Sequence, residues 1–238
     1  MKFITPILSR YVPLAVLLAV CAAICGCTET RFAAMPDDQL QSCDARWKGL
    51  WIPSAEPDSD GAFSIDANCR FVMIDIPKNG APIKRTPIAV SYLHVDGKDY
   101  VVVPDDGLKD LVDIEPVYGI EPVPTRAYFV ARYVLDKDRI DVYSVDSERL
   151  AIRIIAGKLD GTVTKTPNNL HVFVTGDAAH TLEVLRGESI FADKPSMELE
   201  RSDLSVDEFE RRAVQQRDMR EPLGHVGNRH GQEPFQEP

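Results

Sequence analysis

Cysteine is scarce in this 238-residue chain: there are five, and no two stand as Cys-x-x-Cys. That spacing argues against a thiol redox centre or a zinc knuckle. Positive charge is short as well, with 27 Lys and Arg against 37 Asp and Glu and a formal net charge of −10. An acidic chain without a basic stripe repels phosphate backbones, so nucleic acid is not an expected partner. Gly-x-Ser-x-Gly, Ser-x-x-Lys, His-Glu-x-x-His and a glycine-rich phosphate loop are all missing. The usual routes to nucleophilic, zinc and nucleotide chemistry are therefore closed, and no cofactor or metal is expected. No segment recurs at a solenoid period.

Long apolar runs are missing too. The longest, Val12 to Ile24, is too short for the ~30 Å hydrocarbon core of a bilayer. Lys2 and Arg10 precede it and small residues follow, which is the layout of a secretory signal. Its end, Ile24-Cys25-Gly26-Cys27, resembles the lipobox of bacterial lipoproteins. By that resemblance, residues 1–26 are a signal peptide and Cys27 is the lipidated first residue of the mature chain. Several acyl chains on one residue make a stable membrane anchor where a single chain does not. Thr28 stands where many such proteins carry an inner-membrane retention Asp, which implies the outer membrane, facing the periplasm. The alternative is an ordinary secreted chain cleaved nearby.

Two cysteines remain, Cys43 and Cys69. An even pair in an oxidising compartment predicts a Cys43–Cys69 disulfide. A redox-active pair or half of a metal site are the alternatives.

Turn and periodicity signals divide the rest of the chain. Residues 27–39 read as a tether, 40–193 as one β-rich α+β domain, and 194–238 as a charged tail, part helical and part disordered. A helix is expected over 37–45 and strands over 48–52, 69–76, 88–95 and 98–103. Asp96-Gly97 is the strongest hairpin signal. Residues 105–125 form a long Asp/Gly/Pro-rich connection. Strands are expected over 126–135 and 139–145, and again over 161–166 and 170–175. Two helices punctuate this second half, 147–156 capped by Ser147 and 177–186 capped by Asp177. The expected fold is α+β, mainly antiparallel sheet with those two short helices. The run from Arg132 to Val163 resembles segments of uncharacterised bacterial lipoproteins and brings no activity with it.

Several residues invite a chemical reading. Gly49-Leu50-Trp51 resembles the Gly-x-Trp of lipocalins, whose tryptophan plugs the closed end of a β-barrel that holds an apolar ligand. A buried tryptophan at the start of the domain is the plainer reading. Glu56, Asp58, Asp60, Gly61 and Ser64 fall at calcium-loop spacing, but Ala67 takes the place of the bidentate Glu; a solvated acidic turn is expected. His94, His171 and His180 lack partners at ligand spacing, and His225 and His230 lie in the tail. Ser189 lacks the second glycine of a nucleophile elbow. Asp136, Asp138, Asp141 and Asp146 crowd one hairpin, and carboxylates paired by folding leave no local signature. The expected function is a noncatalytic envelope lipoprotein that binds an envelope protein or small ligand. A lipocalin-like carrier and a periplasmic hydrolase with an acidic site are the alternatives.

Overall fold

The computed structural model describes residues 27–54, 61–77, 81–108, 124–167, 169–187 and 189–220. Twelve strands and three α-helices are found there: β1 Cys27–Phe32, β2 Gly49–Pro53, β3 Gly61–Ile65, β4 Phe71–Asp75, β5 Lys84–Ile88, β6 Ser91–Val95, β7 Lys98–Pro104, β8 Tyr128–Asp136, β9 Arg139–Ser144, α1 Ser147–Ile155, β10 Gly161–Lys165, β11 Asn169–Val174, α2 Ala178–Arg186, β12 Met197–Ser202 and α3 Val206–Arg220. A 3₁₀ turn, Ala45–Trp47, precedes β2.

All strands belong to one branched sheet. One path runs β10-β11-β1-β8-β9-β12-β2-β3-β4-β5, and β7 lies on the other edge of β8 with β6 beyond it. Every pairing is antiparallel except β1 with β11. Nine strands, β2 to β9 and β12, send alternate side chains into one cluster. A flat sheet of nine strands, ~4.8 Å apart, could not do so; this one curls round. The Trp47 ring shows the closure, standing 6.5 Å from Trp51, 6.1 Å from Phe71, 5.7 Å from Tyr92 and 5.1 Å from Tyr133, on β2, β4, β6 and β8. The barrel is incomplete between β5 and β6, which do not pair. Gln41 bridges to Tyr92 on the outer edge of β6 at the closed end.

Two further cores lie outside the barrel. One joins the outer faces of β6, β7 and β8 to the small β1-β11-β10 sheet and to α1 and α2, around Phe32, Tyr100, Leu150 and Leu185. The other seats Phe209 of α3 on Leu50, Ala62 and Ile74. The Asp96-Gly97 hairpin is present, with φ of 48° and 73° at its two central residues, as a type I′ turn demands.

The structure corrects several expectations. Among the described residues there are three α-helices, not two. No helix covers 37–45: Gln41 is drawn into backbone pairing with Tyr92 and Cys43 is bonded to Cys69. The cap of α1 is Asp146, which accepts from Arg149 N at 2.9 Å, while Ser147 accepts from Thr30 instead. The stretch read as a tether contributes β1, paired with β11 from Cys27 onward. The stretch read as a tail contributes β12, paired on both sides, and its expected helical part is α3, which packs on the barrel's outer wall. The sheet therefore continues past residue 193, because β9 and β2 meet only through β12. The calcium-spaced Glu56, Asp58 and Asp60, most of the 105–125 connection, and His225 and His230 fall outside the described residues.

Candidate functional site

The closed end of the barrel holds the densest polar network. Asp44 caps the 3₁₀ turn, and its Oδ2 accepts from Tyr133 Oη at 2.5 Å and from Arg46 Nη2 at 2.6 Å. Arg46 continues to Asp99 at 2.9 Å, and the Asp99 carboxylate also contacts His94 Nδ1. Burial pushes the Asp44 carboxyl up, but hydrogen bonds from Arg46 and Tyr133 outweigh it and hold the group below its ordinary value. Burial and then the neighbouring Asp44 push the Tyr133 hydroxyl well above the ordinary tyrosine value, so it stays a donor. On the opposite wall, Arg201 lies 4.2 Å from the centre of the Trp51 ring. Its Nη2 donates to Arg46 O at 2.9 Å and its Nη1 to Lys48 O. Gly49 has φ +131°, and a Cβ there would stand 2.8 Å from Arg201 Nη1. Gly49 is required by its backbone conformation, and Trp51 is buried in the aromatic core with Arg201 stacked on its ring. Trp51 Nε1 donates to Trp47 O at 2.6 Å. These contacts hold the plug in place, while Trp47 Nε1 is buried without a hydrogen-bond partner among the described residues.

A second site lies where the sheet forks. Along one edge of β8, Tyr128 pairs with Phe32 of β1, and pairing with β9 begins only at Ala131. Between these points β1 and β9 diverge and leave a crevice of about 290 Å³. Val101, Val103, Phe129, Ala131 and Val145 make its walls apolar, and Thr28, Thr30 and Ser147 add hydroxyls. Thr30 Oγ1 donates to Ser147 Oγ at 2.9 Å, so these hydroxyls are partly satisfied within the wall. Glu29 sits at the rim, 2.5 Å from Arg31 and 2.9 Å from His171 Nδ1. The buried Arg31 also reaches Asp105 at 3.8 Å and lies 5.5 Å from the Phe129 ring centre. The result is an apolar recess with a charge-balanced polar edge, which suits a small, mainly apolar body carrying one polar group.

The other candidates are dispersed. His180 Nε2 is buried on α2 without a hydrogen-bond partner among the described residues. Asp138 pairs with Arg201 at 3.1 Å, Asp141 with Arg139 at 2.6 Å, and Asp146 caps α1. Gly61 and Ser64 lie in β3, and Ser189 O accepts from Arg149. Among the described residues no three His, Cys, Asp or Glu side chains are grouped to hold a metal ion. No helix among them is long and apolar enough to cross a membrane. Sequence reasoning missed Asp44, Arg46, Arg201, Glu29 and Arg31. Only Asp44 left a local trace, as a capping residue ahead of an Arg.

The fold and site define a class, a plugged and incomplete β-barrel with a crevice at the fork of its sheet. No family model, curated protein or solved structure matches the chain.

Proposed function

We propose that this protein is a noncatalytic binding module, held to the membrane through Cys27, whose crevice takes a small, mainly apolar ligand. The observation that carries the reading is the apolar crevice between β1 and β9, open at a fork that sheet pairing leaves unfilled. The buried Trp47 and Trp51 rings support a lipocalin-like form of cup, with the ligand space displaced toward the fork because aromatic rings fill the closed end. The hydrolase alternative gains nothing, since Asp44, Asp99 and Glu29 are each neutralised by an Arg or His neighbour.

Nile red should bind the full chain at one saturable site, with a blue-shifted emission. Ala131→Trp, which fills the crevice, should abolish that site and leave the fold intact by circular dichroism. Wild-type protein that ignores the dye, or a variant that binds it unchanged, would remove the crevice from the reading. The anchor is tested separately. Cys27→Ala should move the protein from the membrane fraction to the soluble periplasm, or leave an uncleaved precursor; unaltered partition and mature mass would reject lipidation. Because β1 is paired from Cys27 onward, an acylated Cys27 would set that end of the sheet, with the β10–β11 turn, against the bilayer. The outer membrane, facing the periplasm, is the location that Thr28 favours.

A further inference from the structure

Edge strands offer unpaired backbone groups to other chains, and proteins ordinarily blunt them. Three edges of this sheet can be compared. β5 carries Pro87 as its fourth of five residues and Lys84 and Arg85 at its start, and Arg85 is pinned to Glu210 of α3 at 2.7 Å. β6 is occupied by Gln41, which exchanges both backbone hydrogen bonds with Tyr92, at 2.8 and 2.7 Å. β10, Gly161-Thr-Val-Thr-Lys165, has no proline and one terminal charge, and among the described residues it pairs with β11 alone.

Its orientation follows from two hydrogen bonds. Thr166 N donates to Asn169 O at 2.9 Å and Thr175 N to Asp160 O at 3.2 Å. Ladder groups alternate, so the even-numbered residues of β10 bond to β11. The N–H and C=O of Gly161, Val163 and Lys165 then point outward.

We infer that β10 is a homodimerisation edge, pairing antiparallel with β10 of a second copy about a twofold axis at Val163. In that register the outward groups meet one another: Val163 faces Val163 of the second copy, and Gly161 faces Lys165. Thr162 then lies opposite Thr164, a favourable cross-strand pair. The strand's single charge meets a residue without a side chain, so no like charges oppose. It also nears the C-terminal turn of α1, where a cation is favoured. Gly161 cannot carry a side chain, since a Cβ would lie 2.5 Å from Phe173 O and 2.6 Å from Ile154 Cδ1.

A second observation points to the same edge. A five-residue strand pair is small beside the ~800 Å² per partner of a stable interface, so further apolar area is needed. α1 lies over β10 through Ile154, and its Ile152 and Ile155 are 67% and 76% exposed. Ile155 lies about 120° round the helix from Arg149, whose guanidinium holds the 189–191 segment beside β9, while Ile152 stands one turn from Arg149 on the side of α1 that faces away from the sheet. Ile155 therefore turns away from β9, toward the open edge of β10. Strand pairing would bring the two α1 helices side by side on one face and cover Ile155.

Sedimentation equilibrium of the full chain in mild detergent tests the inference. The wild-type mass should rise with concentration toward twice the monomer. Val163→Pro should remain monomeric at the same concentrations with an unchanged thermal midpoint, because the N–H it removes is not part of the β10–β11 ladder. Should that variant misfold, Val163→Lys, with two like charges on the axis, answers the same question. Val163→Cys should cross-link two chains on mild oxidation, since facing Cα atoms in such a pair are about 5.5 Å apart, within disulfide reach. A wild type monomeric at every concentration, or a Val163→Pro dimer, overturns the inference. So does a monomer that pairs β10 only with a foreign strand peptide.

Discussion

Asp44 shows how much can rest on a single side chain. It caps the 3₁₀ turn, fixes Tyr133 and anchors Arg46, and it is 6% exposed. A carboxyl whose folded pKa is lowered adds stability that is complete above its unfolded pKa, ~3.9, and is lost as pH falls through the folded value. Asp44→Asn should therefore lower stability at neutral pH by about 1–2 kcal/mol, as losing charge-assisted hydrogen bonds does, because Arg46 is half-exposed and keeps Asp99. It should also flatten the acid limb of the stability curve below pH ~4. Urea midpoints of both proteins across that limb would show it; parallel curves would mean the carboxylate charge contributes nothing. At the other wall, Arg201→Lys keeps the charge but loses the flat stack on Trp51 and the forked donation to Arg46 O and Lys48 O. A loss of about 2 kcal/mol is expected, and the tryptophan emission should report it. The Gly49-Leu50-Trp51 pattern was legible in the sequence; its partner was not. Arg201 stands in a charged run with nothing local to tie it to a tryptophan far back in the chain.

At the scale of elements, legibility followed local cause. The Asp96-Gly97 hairpin and both second-half helices carry their own turn, cap and stripe, and all three are present. β1, β3, β5 and β12 were not recognised, because their pattern is set by neighbours. β12, Met-Glu-Leu-Glu-Arg-Ser, has acidic residues at alternate positions, and only Leu199 is buried. It is a strand because β9 and β2 both pair with it. The Cys43–Cys69 disulfide was legible by counting cysteines, and the structure supplies its purpose. It ties the segment that carries the plug to the turn before β4, with Cα atoms 5.3 Å apart. Closing a loop of 26 residues removes unfolded-state entropy worth about 3.5 kcal/mol in the chain-entropy model. Cys43→Ser should lower stability by roughly that amount and leave Cys69 reactive to thiol reagents. A much larger loss would indicate that the plug itself had left the barrel.

For the molecule as a whole, the barrel closes only through residues beyond the point where the apolar pattern thins. Without β12, the edges of β9 and β2 would face water, Leu199 would leave the barrel core, and Trp51 would lose Arg201. Without α3, Leu50, Ala62 and Ile74 on the outer wall would lose Phe209. A chain ended at Asp193 keeps the disulfide, the plug and all the first-half strands, so it tests whether those suffice. They should not. Two opened sheet edges and an uncovered apolar face favour association over folding, and the loss falls on contacts between the first and last strands of the barrel. The truncated chain should therefore be recovered aggregated, or as a monomer with strong dye binding, weak near-ultraviolet circular dichroism and no cooperative thermal transition. A cooperative transition near the wild-type midpoint would mean that the first eleven strands and the disulfide define the fold by themselves. β12 and α3 would then be additions to a finished barrel, and the crevice at the fork would be free to vary without them.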